Sequence, residues 1–339
     1  MSGTSLDGLD ICYVSFEKDT SWKYNILHAE TIPYSKKWED QLRNAIYISV
    51  LELLELHSTY GFYLGEKVQE FISKFNITEI DLIASHGHTI FHQPQKKFTT
   101  QIGDGRAIKE LTGISTVYDF RTQDVLKGGN GAPLVPIGDE LLFTDYDACI
   151  NLGGFSNISF KNNHERVAFD ICPVNIVLNV FAQKLGKPFD DNGDFARQGN
   201  VNHQLLDHLN KIEFYDQKFP KSLGIEWVHE NINPLLIDLD PLNVLSTCTQ
   251  HFADQIAKVL NQFQLKKVLF TGGGAYSRFL IELIQAQTDT EIIISDKTLT
   301  NYKEALIFAL MGVLRLRNEV NVLASATGST ENHCSGLLV

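Results

Sequence analysis

Three glycine-rich turns, each set beside a stretch that reads as β-strand, constrain this chain more than any other feature. The first is Gly3-Thr4-Ser5-Leu6-Asp7-Gly8 and the second is Asn151-Leu152-Gly153-Gly154-Phe155-Ser156-Asn157. The third is Thr271-Gly272-Gly273-Gly274-Ala275. Glycine lets backbone adopt φ > 0 and approach a ligand closely, while Ser and Thr hydroxyls and backbone N–H groups suit phosphate oxygens. Any one of these turns alone reads better as a tight hairpin. Three in one chain point instead to phosphates held by loops from more than one domain. Neither GxxxxGK[ST] nor GxGxxG occurs, which argues against P-loop and Rossmann folds.

The chain has 339 residues. Taking ~150 residues per domain, that length suits two domains, each large enough to bury a core. No run approaches the ~20 consecutive apolar residues of a membrane span. The opening residues are Ser/Gly/Asp-rich and do not read as a signal peptide. A net charge of −12 without any Lys/Arg block argues against nucleic acid or a membrane surface as partner. An anionic small molecule held by local cations stays open. The five cysteines, Cys12, Cys149, Cys172, Cys248 and Cys334, form no CxxC pair. That pattern fits neither a zinc site nor a disulfide framework and suits the cytoplasm.

Strands are expected at 9–16 and 24–32 as an early hairpin, then at 81–85, 99–103 and 114–120. Apolar spacing within 36–75 predicts two helices, with a shorter one near 105–112. The Gly/Pro-rich stretch 127–136 resists both states and is expected to mark a domain junction. Beyond it the strand-rich opening recurs at 148–153, 155–160 and 166–170. Helices at 174–185 and 248–264, strand 267–271, helix 277–287, strand 291–295 and helix 301–317 follow. Two halves of this kind predict a duplicated α/β fold. The expected domains are 1–134 and 135–317, with 318–339 returning to pack on the first. Together with the three turns, this points to the actin-like, hexokinase-like and Hsp70-like ATPases, a duplicated ribonuclease-H-like architecture with an interdomain cleft.

Within that group the chain resembles the anhydro-N-acetylmuramic acid kinases. The resemblance rests on MSGTSLDGLD at 1–10, SHGHTIFHQP at 85–94, QIGDG at 101–105, Asp119-Phe120-Arg121 with Asp124, and GGNGAPLVP at 128–136. The Asn151–Ile158 turn, Pro220-Lys221-Ser222-Leu223-Gly224 and the glycine triplet 272–274 complete it. It implies an ATP- and Mg²⁺-dependent sugar kinase of cell-wall (peptidoglycan) recycling. Such an enzyme opens the 1,6-anhydro ring with water and phosphorylates O6, giving N-acetylmuramic acid 6-phosphate and ADP. Two alternatives remain at this point, a kinase for a different anhydro or amino sugar and a weakly catalytic sugar sensor. A homodimer is compatible with either.

The resemblance nominates Asp170 as the catalytic base, expected to end a strand just before a helix whose N-terminal dipole keeps it ionised. An Asp that merely caps that helix is the plain alternative. It nominates Gly3, Thr4, Ser5, Leu6, Asp7, Gly8, Leu9, Asp10, Gly153, Gly154, Asn157, Gly272, Gly273 and Gly274 for the nucleotide, with Asp7 and Asp10 holding Mg²⁺ through water. For the sugar it nominates His86, His88, Phe91, Arg121, Asn175 and Glu304. Arg121 suits a lactyl carboxylate, or else an internal ion pair with Asp119 or Asp124. His86, His88 and His92 read as sugar contacts or buried histidines rather than a metal site. Phe189-Asp190-Asp191-Asn192-Gly193-Asp194 lacks the closing Glu of a calcium loop.

The chain departs from the family at Asp170-Ile171-Cys172-Pro173-Val174-Asn175, where the family carries Asp-Thr-Gly-Pro-Gly-Asn. Cys172 and Val174 are therefore expected to narrow the wall beside the base. Ile225 stands where an Arg is common, so one cationic contact is expected to be missing. In the family several residues precede the Met-Ser-Gly stretch, so the strand supporting the first turn is expected to be truncated or absent.

Overall fold

The computed structural model describes residues 1–3, 6 and 8–339, so Thr4, Ser5 and Asp7 of the first glycine turn lie outside the described residues. The chain forms a mixed α/β structure of two units, Met1–Leu142 with Tyr302–Val339, and Phe143–Asn301. The stretch 127–136 lies inside the first unit.

Unit 1 opens with the antiparallel hairpin β1 (Leu9–Lys18) and β2 (Trp22–Ile32). Helices α1 (Lys36–Asn44) and α2 (Val50–Lys74) follow. Ser49 caps α2 from both sides of a capping box: its hydroxyl accepts from Glu52 N–H, and the Glu52 carboxylate accepts from Ser49 N–H. Next come β3 (Ile83–Ala84), β4 (His88–Gln93), β5 (Phe98–Ile102), α3 (Gly105–Thr112), β6 (Thr116–Tyr118), α4 (Thr122–Leu126) and α5 (Pro136–Leu142). β4 and β5 pair as a second hairpin, while β3 and β6 run parallel. The core gathers Leu9, Leu42, Tyr60, Leu64, Ile102 and Ile108 among others.

Unit 2 is built on one five-stranded sheet. Its elements are β7 (Ala148–Leu152), β8 (Phe155–Asn162), β9 (Glu165–Pro173), α6 (Asn175–Lys184), α7 (Asp194–Gln198), α8 (His203–Asn210), α9 (Ile225–Asn231), α10 (Pro241–Gln262), β10 (Lys267–Thr271), α11 (Arg278–Gln285) and β11 (Glu291–Ile294). The strand order is β11-β10-β7-β8-β9, with β7, β8 and β9 antiparallel and β10 and β11 parallel to β7. Three meandering strands extended by parallel ones on the side of the first strand is the ribonuclease-H-like arrangement. β7 is buried on both faces, as a central strand covered by helices must be. α10 supplies much of the core through Leu245, Cys248, Phe252, Ile256 and Leu260.

The chain then enters α12 (Lys297–Leu316), followed by α13 (Ala324–Thr327) and β12 (Leu337–Leu338). β12 pairs antiparallel with β6, so unit 1 gains its last strand from the end of the chain. Asn321 fastens this return: its amide donates to the Met311 and Ser335 carbonyls, and its carbonyl accepts from Ser335 N–H.

Candidate active site

In unit 2 the register of the sheet assembles one polar row. Thr271 of β10 lies beside Asn151 of β7, Asn151 beside Asn157 of β8, and Asn157 beside Asp170 of β9. A register irregularity between Ser156 and Asn157 leaves Ile171 as an extra residue on β9, so Asp170 rather than its neighbour faces Asn157. Two glycine turns close over the end of this row. Gly272, at φ 83°, lies so near Asn151 that a Cβ would stand 2.5 Å from the Asn151 Oδ1 and 2.8 Å from the Leu152 backbone. Gly274 would meet the Leu152 Cβ at 2.9 Å. Gly154 and Gly273 are different: both are exposed, and their added Cβ atoms would meet nothing closer than 3.8 and 4.0 Å. Two glycines therefore let the turns pack on each other, and two leave bare backbone on the open side.

Asp170 is held from the edge of the sheet. β9 is the outermost strand, and the Pro220–Gly224 segment covers it: Asp170 N–H donates to the Lys221 carbonyl at 3.1 Å, and Leu223 N–H donates to Asp170 Oδ2 at 2.8 Å. Burial raises the Asp170 pKa above the ordinary carboxylate range, and the Leu223 amide partly offsets that rise. The expected end of the strand at 170 is corrected here, while the helix begins within a residue of the expected 174. β9 continues to Pro173, Val174 is the cap of α6, and Asp170 is a strand residue four places before that cap. The capping alternative falls with it.

The side chains that depart from the family pattern are buried, not set into a wall of the site. Ile171, Cys172 and Val174 are all in the unit 2 core. Burial pushes the Cys172 thiol well above its usual value, which leaves it a packing group. Asn175 begins α6 and donates from Nδ2 to the Leu152 carbonyl at 3.4 Å, next to the glycine triplet. Asp190 spends its carboxylate on α7, accepting from Phe195 N–H and Ala196 N–H.

In unit 1 the nominated residues form two hydrogen-bonded groups. Arg121 Nε donates to His86 Nε2 at 2.9 Å, and its Nη1 donates to the Gly131 carbonyl at 2.6 Å. His86 Nδ1 therefore carries the proton and donates to the Gly87 carbonyl at 3.0 Å. Burial, then the Arg121 charge, pushes the His86 pKa well below its usual value, keeping the ring neutral. Burial also lowers Arg121 to about 10, still far above neutral pH. Its guanidinium lies over the Phe308 ring, and neither Asp119 nor Asp124 bonds to it directly. Two of its five N–H donors are used on protein, which leaves three for a planar anion.

The second group is a chain of hydroxyls. Tyr34 donates to Ser2 Oγ at 2.7 Å, Tyr60 sits 2.7 Å from the Tyr34 hydroxyl, and Ser2 Oγ meets His88 Nδ1 at 2.8 Å. These bonds are consistent with protons directed from Tyr60 through Tyr34 and Ser2 to a neutral His88, whose pKa burial lowers to about 4. Phe91 packs against Phe98, and His92 bonds Thr99.

The first glycine turn is described at Gly3, Leu6, Gly8, Leu9 and Asp10. Gly8 closes on β2, where a Cβ would lie 2.7 Å from Thr31 and 2.8 Å from the Ile32 carbonyl. The Leu9 side chain belongs to the core of unit 1. Asp10 accepts from the Thr31 hydroxyl at 2.6 Å. Glu304, on α12, is reached by solvent yet crowded by protein; burial raises its pKa, Arg121 opposes the rise and Asp10 adds to it. Two carboxylates in electrostatic contact, both hard oxygen donors, suit Mg²⁺, which takes oxygen ligands and keeps much of its water. Among the described residues no cluster of three or more His, Cys, Asp or Glu side chains forms a metal site.

Sequence reasoning did not single out three contributors: Thr271, Asn151 and the Leu223 amide. The first two are ordinary strand ends until β7 and β10 pair across 120 residues, and the third is backbone.

A family model described as anhydro-N-acetylmuramic acid kinase matches residues 1–339. A protein named anhydro-N-acetylmuramic acid kinase from Bacillus cereus (strain Q1) is 31% identical over 365 residues, covering 98% of this chain and 96% of that protein. One of the same name from Caldanaerobacter subterraneus subsp. tengcongensis is 32% identical over 375 residues, covering 97% and 93%. With the asparagine–aspartate row and the glycine turns on one unit and the Arg121–His86 pair on the other, the match spans every region that carries a candidate site residue: the chain belongs to the anhydro-N-acetylmuramic acid kinase family.

Proposed function

We propose that this sugar kinase hydrolyses the 1,6-anhydro bond of anhydro-N-acetylmuramic acid and phosphorylates the freed O6, consuming ATP and water and giving the 6-phosphate and ADP. The observation that carries this reading is Asp170: a carboxylate of raised pKa, fixed by the Leu223 amide, in register with Asn157 and flanked by glycine turns. Asp170 takes the proton of the water that attacks C1, the C1–O6 bond breaks, and O6 accepts the γ-phosphoryl group. Exposed backbone at Gly154 and Gly273 suits the phosphates. Arg121, with donors to spare, suits the lactyl carboxylate. Neutral His88, bonded to Ser2 through Nδ1, suits a sugar hydroxyl through Nε2, while His86, with both ring nitrogens bonded to protein, orients Arg121. Asp10 and Glu304 would hold Mg²⁺, which supplies charge neutralisation at the phosphates when bound. We further read the protein as a cytoplasmic enzyme of peptidoglycan recycling that can work as a homodimer.

The test is ADP release over a panel of anhydro-N-acetylmuramic acid, its lactyl-free analogue and simple hexosamines, with and without Mg²⁺. The anhydro sugar bearing the lactyl group is expected to turn over fastest, and only with the metal. Equal kcat/KM with and without the lactyl group would remove Arg121 from substrate binding.

The two kinds of glycine separate function from packing. Gly273→Ala meets no atom within 4.0 Å apart from Asn175 Nδ2 at that limit, so the unfolding midpoint should hold. A methyl group there would crowd the phosphates, and KM for ATP should rise roughly tenfold. Gly272→Ala meets Asn151 and Leu152 at φ 83° and should instead cost about 1–3 kcal/mol of stability. An unchanged KM in Gly273→Ala would take this turn out of nucleotide binding.

A further inference from the structure

A cavity of about 520 Å³ opens in unit 2 away from the polar row, within the ~300–1,000 Å³ typical of small-molecule sites. Asp170 does not line it, but Phe169 and Ile171 on either side of Asp170 do. One wall is aromatic. The rings of Phe169 and Phe219 stack at 5.3 Å with 4° between their planes, and Phe263 lies 6.0 Å from Phe219. The lining also carries Lys218, Lys221 and Lys258 against one carboxylate among the described residues, Asp216, which pairs with Lys258 at 2.7 Å. In a chain of net charge −12, that local excess of positive charge runs against the overall balance.

Lys221 is built into the cavity rather than left as a free surface charge. Its Nζ donates to the Phe214 and Tyr215 carbonyls at 3.0 and 3.4 Å and lies 4.6 Å over the Phe214 ring. Two ammonium protons are thereby directed to protein, and the third remains for an anion. A flat apolar body would find the stacked phenylalanines, and its anionic group would find the lysines.

The same residues hold Asp170. The Lys221 carbonyl accepts from the Asp170 amide, and two residues on, the Leu223 amide donates to the Asp170 carboxylate. A ligand that engages the Lys221 side chain and presses on Phe169 and Phe219 therefore acts on both sides of that clamp. We propose that this cavity binds a small organic anion with a flat apolar body, and that occupancy shifts the Asp170 carboxylate and so tunes turnover. The binding half stands apart from the proposed function; the effect on turnover rests on Asp170 acting there as the base.

The probe is 8-anilinonaphthalene-1-sulfonate, titrated by fluorescence into the full chain, into a Lys218→Glu/Lys258→Glu double variant and into Gln262→Trp. All three substituted residues are exposed and none holds Asp170. Wild type should show saturable binding. The charge-reversed variant should bind roughly tenfold more weakly or worse, and the Trp variant, whose ring fills the cavity, should lose binding. All three should share one unfolding midpoint. Equal affinity in the three proteins overturns the site. In parallel assays of sugar-dependent ADP release, the probe should change kcat about fivefold or more in wild type and leave both variants unaffected. Binding without any change in kcat overturns the coupling. Absence of sugar-dependent ADP release in wild type would count against the proposed function, while the titration still decides the site.

Discussion

Asp170→Asn is expected to lower sugar-dependent ADP release by ~10²–10⁴-fold, the range for loss of a general base, while the protein remains folded. Asn keeps the shape and an oxygen that can accept from Leu223 N–H, so the clamp on the edge of β9 should persist. It cannot take the proton from water. Stability should hold or rise slightly at neutral pH. A carboxylate whose pKa is raised by burial favours the fold most when protonated, and that contribution is lost as pH rises through its folded value. The same raised pKa sets the acid limb of wild-type kcat/KM above the ~3.9 of an ordinary Asp, with activity falling as pH drops through it. Steady-state ADP release over pH, with a urea midpoint for each protein, checks all three expectations. Turnover retained in Asp170→Asn would assign the base elsewhere.

Asp124→Ala is expected to destabilise unit 1 strongly, by about 2–4 kcal/mol. Asp124 is fully buried. Its carboxylate accepts from Gly131 N–H and the Thr327 hydroxyl, both at 2.7 Å, and His333 Nε2 stands 3.7 Å away. One side chain thus joins the 127–136 loop to the returning C-terminal segment, and Gly129 must lack a Cβ because one would run into this carboxylate. Alanine leaves the Gly131 amide buried without its partner. The effect should reach substrate, because the Gly131 carbonyl is what Arg121 Nη1 holds. KM for the anhydro sugar should rise along with the drop in denaturation midpoint, and Asp124→Asn, which keeps one acceptor, should recover part of both. Loss of stability with an unchanged KM would separate this clamp from Arg121.

Much of the architecture was legible along the chain because long elements repeat their burial pattern many times. The early hairpin, the helices within 36–75, α3, and the strands from β7 to β11 all fall where alternation and apolar spacing put them. Most of the short helices did not, α3 and α11 excepted. α4, α5, α7, α8 and α9 span five to eight residues, too few turns for a 3.6-residue period to stand out. α10 begins at Pro241 rather than near 248, with Asp240 as its cap and proline in its first turn. β4 is poorly marked along the chain because two histidines and a glutamine flank its β-branched and aromatic residues Thr89, Ile90 and Phe91.

By itself the sequence determined the α/β class and the family, and it nominated the three glycine turns and Asp170, because each rests on residue types in a local order. Tertiary structure alone decided what surrounds them. The row from Thr271 to Asp170 exists only through pairing of strands far apart in the chain, and one extra residue on β9 sets which side chain it ends on. The Leu223 amide at Asp170 and the Gly131 carbonyl at Arg121 are backbone groups, which residue identity does not mark. Cys172 and Val174, which looked like intrusions into the site, went into the core because their side chains had apolar neighbours to meet. Local order names candidate residues, but a hydrogen bond or a buried face belongs to two segments at once, and only the folded chain brings the second one.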